Sequence, residues 1–585
     1  MKLTSAGVSS SPQKALGGAT RGAPGLLLRL EATWSRYGDS RPIAYVLFAI
    51  LYVFPNLVLA RHKLLWDDEL FTLYLSKTRG WTELWRALST GADQHPPSFY
   101  YLTHLIFRLA GSTHVTLRLA PLVCFALFCV CLCEIARLLV GPRWTLVALL
   151  LPLTTPALYY ATEARGYGME VGFVTFSLWM WILAAEGRKR AWTVPALAVG
   201  LCLSIASHYY AVFFLIPLAA GELAKIRLRR SIDVPVCCAL LAALIPLVLF
   251  APIILKAKTY SEHFWAVPFW SQMLRWYPNM TGNLLLILLA ATALTFVLRI
   301  PASQDLQDAN SPLGAPVALP VAVVLTTSVL LPILGEIVAQ FITQAFTDRY
   351  FIAALPGTCI IALWVLQRLL RNTAAGAALI SILCILLAAQ EWRQLYKRQV
   401  GNLRLIRSAA TLLRRTGNAP IVISDISTFH QLSFYGQRDL ANRLAYVADP
   451  HRSDYYLGHD TVDRGLLALN PWFPLNVVWW HEWWRTHPFS LVYGGVSDWA
   501  WHTFALDEVG NVQLLNRDLS HLLLGVTRTN MPEDDRTPSD PPGKPMLYDQ
   551  LAAGPPLCNV YMPADHCPVV DDPNFPPVIT YPELK

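Results

Sequence analysis

Residues 95–110 read HPPSFYYLTHLIFRLA, and whether this run crosses a membrane fixes the orientation of everything after it. As a helix it would extend only about 24 Å, short of the roughly 30 Å of hydrocarbon that a span must cover. Counting it as a crossing would also put the Arg and Lys clusters of the later loops outside, whereas positive charge near span ends stays in the cytoplasm. The run therefore reads as a helix lying in or along the interface, with Tyr100, Tyr101, His104 and Arg108 keeping polar contacts.

Outward from this point, apolar length predicts eleven spans, at about 43–60, 115–139, 144–161, 166–185, 191–206, 209–223, 234–255, 282–298, 316–335, 350–370 and 373–390. Starting inside, the even connections carry Arg137 and Arg143, then Arg188, Lys189 and Arg190, then Lys225, Arg227, Arg229 and Arg230, later Arg299, and finally Arg368 and Arg371. Apolar length and charge placement thus agree. Residues 1–41, with six basic and two acidic side chains, read as a cytoplasmic segment before an uncleaved anchor. Residues 61–114 form a long outer loop, and loops of that length are usually functional.

Composition supports a polytopic membrane chain: of 585 residues 54% are hydrophobic and 15% charged, against about 25% charged in soluble domains. Residues 391–585 carry 17 Lys+Arg and 21 Asp+Glu, so the net charge of +8 arises from the hydrophobic part. It serves orientation, and no basic stripe suggests nucleic acid. Nine of the 11 Cys fall in apolar stretches and read as small buried hydrophobes. With an odd number of crossings, residues 391–530 lie outside as a small α/β domain, with a helix over 402–416 and a strand near 419–424. Residues 531–585 hold 13 of the 41 Pro and read as an extended tail, where Cys558 and Cys567 admit a disulfide.

Four polar clusters fall on the outer side of this topology. Asp67-Asp68-Glu69 follow the first span; Asp93 and His95 precede Pro96 and Pro97; Glu163, Arg165 and Tyr167 occupy a tight turn; Arg349 and Tyr350 open the tenth span. Taken singly each has a plain explanation: helix capping for the acids, an ion pair for Glu163 and Arg165, snorkelling for Arg349, and aromatic-belt anchoring for the neighbouring His208-Tyr209-Tyr210. Together they suit a phosphate-bearing lipid and a hydroxyl acceptor, since Arg grips phosphate through its planar fork and a carboxylate accepts a proton.

The stretches WDDELFTLYL (66–75), DQHPPSFYYLTHLIFRLAGSTHVTLRLAP (93–121), YYATEARGYGM (159–169) and TDRYFIAALPG (347–357) resemble membrane glycosyltransferases of the GT-C fold. Within that fold the stretches are similar to those of bacterial proteins resembling protein O-mannosyltransferases, of lipid A aminoarabinose transferases and of rhizobial lipopolysaccharide galacturonosyltransferases. It covers roughly residues 40–400. It implies an inner-membrane enzyme, multi-pass with a cytoplasmic N-terminus, that takes a hexosyl or pentosyl group from a polyprenyl-phosphate donor at the periplasmic face. The acceptor would be a glycolipid such as lipopolysaccharide or lipid A, or a protein.

By the same resemblance Asp68 and Glu69 are the catalytic acids, with Asp67 leaving a one-residue uncertainty. Asp93, His95, Glu163, Arg165, Tyr167, Arg349 and Tyr350 would bind substrate. Asp68 takes the acceptor proton, Arg165 and Arg349 stabilise the departing phosphate, and single displacement inverts the anomeric carbon. Relatives of the fold allow a divalent cation near Asp68 and Glu69, though two adjacent carboxylates do not establish one. The basic residue that O-mannosyltransferases carry after His-Pro-Pro is absent here, replaced by Ser98-Phe99-Tyr100. A lipid-linked sugar transporter or flippase, and a noncatalytic glycan-assembly partner, are the alternatives; transport would place ionisable residues at the bilayer midplane. His481-Glu482-Trp483-Trp484-Arg485 lacks the second imidazole of a zinc helix, and Trp479, Trp480, Trp483 and Trp484 read as domain core.

Overall fold

The computed structural model describes residues 29, 31–34, 40–298, 317–495, 500–518 and 521–531. Most of segment 1–41, and the tail from residue 532 with the Cys558–Cys567 pair, lie outside the described residues.

The membrane part opens with α1 (Arg41–His62). Three short helices follow in the first loop, α2 (Asp67–Ser76), α3 (Trp81–Leu88) and α4 (Pro97–Ala110). Then come α5 (Leu119–Leu139), α6 (Tyr167–Ala185), α7 (Arg190–Ser207), α8 (Leu215–Arg229), α9 (Leu355–Leu369, entered through a 3₁₀ turn at Asp348–Ala354) and α10 (Ala374–Arg414). Among the described residues six helices are long and apolar enough to cross a membrane, or eight if each of two bent pairs is one span. The bent pairs are Val234–Leu249 with Ala251–Tyr260, at 63°, and Leu319–Val329 with Leu331–Thr343, at 52°. In each, the second member carries proline in its first turn, where the preceding helix cannot continue.

This differs from eleven uniform spans. Residues 144–161 form one α-turn, Thr145–Leu150, followed by 3₁₀ stretches at Leu151–Thr154 and Pro156–Ala161. Pro152 and Pro156 remove the donors that a continuous helix needs. Residues 209–214 are likewise 3₁₀ before α8 begins, and Leu284–Leu298 is only 15 residues long. Periodicity reports burial on a helix, not whether the helix is unbroken.

Helix α4 begins at Pro97 with proline in its first turn, as its sequence suggests. It packs on α2 and α3 and, through Ser98 donating to the Ala206 carbonyl, against the end of α7. Gly168 and Gly172, four apart on α6, let it press against α5: a Cβ on Gly168 would lie 2.9 Å from Pro121 Cβ, and one on Gly172 would overlap the Cys124 carbonyl. The basic connections gather at the far end of the bundle. There Arg143 donates to Asn372 O at 3.0 Å, Arg190 pairs with Asp233 and Lys225 with Glu222.

Helix α10 has 41 residues and runs unbroken for about 60 Å, where the sequence suggested a span and a separate helix. It carries the chain out of the bundle into an α/β domain of β1 (Ile421–Ile423), α11 (Ile426–Tyr435), β2 (Leu444–Ala448), α12 (Thr461–Leu469), β3 (Val477–Trp479), α13 (Trp480–Thr486), β4 (Phe489–Gly494), α14 (His502–Val509), β5 (Gly510–Arg517) and β6 (Leu522–Arg528). The sheet order is β3-β2-β1-β4-β6-β5, with β1 to β4 parallel and β5 and β6 antiparallel additions. Both faces are buried, so alternate residues part: Ile421 and Ile423 pack with α10 and α11, and Val422 with α13 and α14. Trp480, Trp483 and Trp484 belong to that second core, whereas Trp479 is exposed.

Candidate functional site

Three adjacent carboxylates open α2, and none caps it by a side-chain hydrogen bond. Successive residues on a helix point about 100° apart, so each reaches a different partner.

Glu69 points into the protein. Arg118 Nε donates to its Oε1 at 2.7 Å and Arg118 Nη2 to its Oε2 at 2.6 Å, with neither side chain exposed. The remaining Arg118 donors go to the carbonyls of Ala60, Lys63 and Leu64 that end α1, so all five guanidinium hydrogens are used. Glu69 Oε1 also accepts from Ala164 N at 2.9 Å. Burial would raise this carboxyl, but Arg118 and then Lys63 outweigh it and hold it below the usual range. Glu69 does not line the cavity described below. The sequence reading grouped it with Asp68 as a catalytic acid; the structure gives it the task of fixing the Glu163–Arg165 turn.

Asp68 faces that turn. Arg165 Nη2 lies 2.8 Å from Asp68 Oδ1 and Arg349 Nη1 lies 3.5 Å from Oδ2. Burial pushes the Asp68 carboxyl up, yet Arg165 and Arg349 together hold it below the ordinary carboxylate value. Arg165 is 4% exposed and extends a second hand to Asp93, 2.9 Å away, and to Tyr100 Oη at 2.6 Å. Asp93 therefore anchors Arg165 rather than capping α4. A Cβ on Gly166 would overlap the Ser207 carbonyl, so the turn is seated against the end of α7.

Arg349 is held differently, with its guanidinium 5.5–5.9 Å from the rings of Tyr167, Trp265 and Trp66. The Tyr350 ring lies tilted 4.7 Å from Tyr210 and 5.3 Å from His208, and His208 in turn lies 5.1 Å from Tyr167 and 5.3 Å from His95. His208 and Tyr210 thus form an aromatic wall of the site, not a membrane-belt anchor. Burial, then Arg165, drives the His95 imidazole well below its usual value and keeps it neutral. Glu163 is 1% exposed, and among the described residues neither carboxylate oxygen has a hydrogen-bond partner. Burial pushes its carboxyl up to about 7, against the pull of Arg349 and Lys63.

Asp68, Asp93, His95, Glu163, Arg165, Tyr167, His208, Tyr210, Arg349 and Tyr350 line one cavity of about 1580 Å³, whereas Glu69, Arg118 and Tyr100 lie behind its wall. Its membrane-side wall is apolar, from Val212, Phe213, Leu247, Ile254, Met280 and Ile342, and its opposite wall includes residues of the α/β domain. The four sequence clusters therefore meet around Asp68. Lys63, Trp265 and the domain wall were not anticipated. Arg118 was legible only as a basic residue at the end of a span opposite the basic connections, an exception to the charge rule.

A divalent cation does not fit Asp68 and Glu69. Their carboxylates diverge, and Arg118, Arg165 and Arg349 already occupy them with positive charge. Among the described residues no three or more His, Cys, Asp or Glu side chains are arranged to hold a metal.

Residues 94–255 match the dolichyl-phosphate-mannose-protein mannosyltransferase family. No curated protein matches the chain in sequence. In structure it is similar to ArnT from Cupriavidus metallidurans bound to undecaprenyl phosphate, which is 12% identical, with 84% of this chain and 100% of that one covered at a TM-score of 0.52. The apo form of the same protein is 13% identical, with 83% and 98% covered at 0.51. The fold is thus that of the GT-C membrane glycosyltransferases, as the four motifs imply.

Proposed function

We propose that the protein transfers a sugar from a polyprenyl-phosphate donor to an acceptor hydroxyl, at the periplasmic face of the bacterial inner membrane. The observation that carries this reading is the shared grip of Arg165 and Arg349 on Asp68 in the lining of a cavity with an apolar membrane-side wall. The ArnT structure of the same fold holds undecaprenyl phosphate, and the apolar wall suits such a prenyl chain.

Arg349 has the longer, looser contact with Asp68 and, among the described residues, no second carboxylate to anchor it as Asp93 anchors Arg165. The donor phosphate draws Arg349 toward itself, which leaves Asp68 Oδ2 free while Arg165 keeps Oδ1 fixed. The acceptor oxygen attacks the anomeric carbon, its proton passes to Asp68, and the carbon–oxygen bond to phosphate breaks. Polyprenyl phosphate departs with its new charge facing Arg349, and the anomeric centre inverts. Positioning and fixed charge suffice for so good a leaving group. The aromatic wall of Tyr167, Tyr350 and His208 offers faces for the sugar ring. The ionisable groups sit at one end of the spans, where an interfacial transferase needs them and a transport path does not.

The experiment is Asp68→Asn in membranes with a labelled polyprenyl-phosphate sugar. Transfer at the wild-type rate with normal expression would exclude Asp68 as the base.

A further inference from the structure

The parallel strands of the α/β domain run β3-β2-β1-β4 across the sheet, so the chain builds outward from β1 in one direction and then returns to its other side. The order reverses between β1 and β4. In open α/β sheets the crevice beyond the carboxyl ends of strands at such a reversal is where ligands bind. Here that crevice is formed by Asp425 to Thr428 after β1, Gly495 after β4 and His521 before β6, and these residues line the cavity that contains Asp68.

The two halves of the cavity are tied at this point. Ser427 Oγ donates to Asp67 Oδ2 at 2.8 Å, and Asp67 is the chain neighbour of Asp68. Gln431 donates to Leu65 O at 2.9 Å, and Leu65 N donates to Tyr435 Oη at 2.8 Å. The reversal point therefore opens one residue away from the proposed base.

We propose that this crevice is the acceptor subsite and that it holds the saccharide part of the acceptor, with the attacking hydroxyl directed at Asp68. The inference rests on the transferase reading above and adds the place and chemical class of the acceptor. From Asp425 onward the residues lining the cavity are polar, apolar or acidic apart from His521. Asp67 and Asp425 accept hydrogen bonds, Ser427 and Thr428 both donate and accept them, and His521 Nε2 lies 3.5 Å from Thr428 Oγ1. That mixture suits sugar hydroxyls, each of which needs a donor and an acceptor. In the same cavity both buried Glu163 oxygens are without a partner among the described residues, hydrogen-bonding capacity that a polyol can take up. An extended polypeptide would instead seek an unpaired strand edge, and the crevice lies mid-sheet, with β3 and β5 at the edges.

The test uses the full chain in nanodiscs and measures equilibrium binding of four probes: rough lipopolysaccharide, its lipid-free core oligosaccharide, a Ser/Thr-rich peptide and undecaprenyl phosphate. Thr428→Val and His521→Phe are each expected to weaken binding of rough lipopolysaccharide at least 10-fold and leave undecaprenyl phosphate binding unchanged, which also reports an intact fold. Binding of the free oligosaccharide as well would locate recognition in the glycan alone; its absence beside lipopolysaccharide binding would add the lipid anchor, and both outcomes support the subsite. Wild-type binding of lipopolysaccharide by both variants, binding of the peptide alone, or no binding of either saccharide probe by the unsubstituted chain would overturn it. Failure of the unsubstituted chain to bind undecaprenyl phosphate would instead sink the donor reading, and the saccharide arms would still decide the crevice.

Discussion

Arg165 and Asp68, on different sides of a long stretch of chain, meet at 2.8 Å, and Asp93 holds the same guanidinium from the other side at 2.9 Å. A carboxylate clamped in this way is a weak base while Arg349 also touches it, and a better one when phosphate has drawn Arg349 off. On the proposed mechanism, donor binding and base strength are coupled through that single side chain.

Asp68→Asn should lower sugar transfer by about 10²–10⁴, the usual contribution of a general base. It should also bind undecaprenyl phosphate at least as tightly as the wild type, because Arg349 no longer has a competing anion. Single-turnover transfer and lipid binding, measured side by side, check both halves; weakened lipid binding would contradict the proposed exchange.

Arg349→Ala should weaken undecaprenyl phosphate binding by about 10- to 100-fold, the scale of one charge-assisted hydrogen bond. Arg349→Lys should recover only part of it, since an ammonium cannot stack among Tyr167, Trp265 and Trp66 as the planar guanidinium does. Full recovery by lysine would mean that charge alone matters.

Glu69 and Arg118 should behave as a structural pair. Removing one partner, as in Arg118→Met, leaves a buried charge and should cost about 3–5 kcal/mol. The double variant Glu69→Gln with Arg118→Met should be more stable than either single change. Thermal unfolding in detergent gives the coupling; additive losses would refute the pairing.

Glu163 should make stability depend on pH. Its folded value of about 7 lies above the unfolded carboxyl value near 4.5. The folded chain therefore binds more protons between these values, and stability falls as pH rises through that window. Glu163→Gln removes the penalty, so its gain in melting temperature over the wild type should be larger at pH 8 than at pH 4.5. Equal gains at both values would rule out a raised carboxyl.

Much of the site is legible in the amino-acid sequence. Asp68, Asp93, His95, Glu163, Arg165, Tyr167, Arg349 and Tyr350 stand out because charge beside apolar spans is costly unless used, and the structure gathers all of them. Glu69 carries the same signal for a different reason: its use is to hold a turn. Adjacency on a helix conceals that difference, because neighbouring side chains point about 100° apart.

Apolar length and the side on which Arg and Lys collect are properties of the chain itself, since the bilayer imposes them on each segment separately. They were enough to make this a polytopic protein with its acids at one end. Which acid faces the cavity, which arginine is free to leave it, and that the sheet's reversal point opens onto Asp68 depend on contacts between distant segments. No local pattern encodes those, because they arise only when α2, the Glu163–Arg165 turn and α11 are packed against one another.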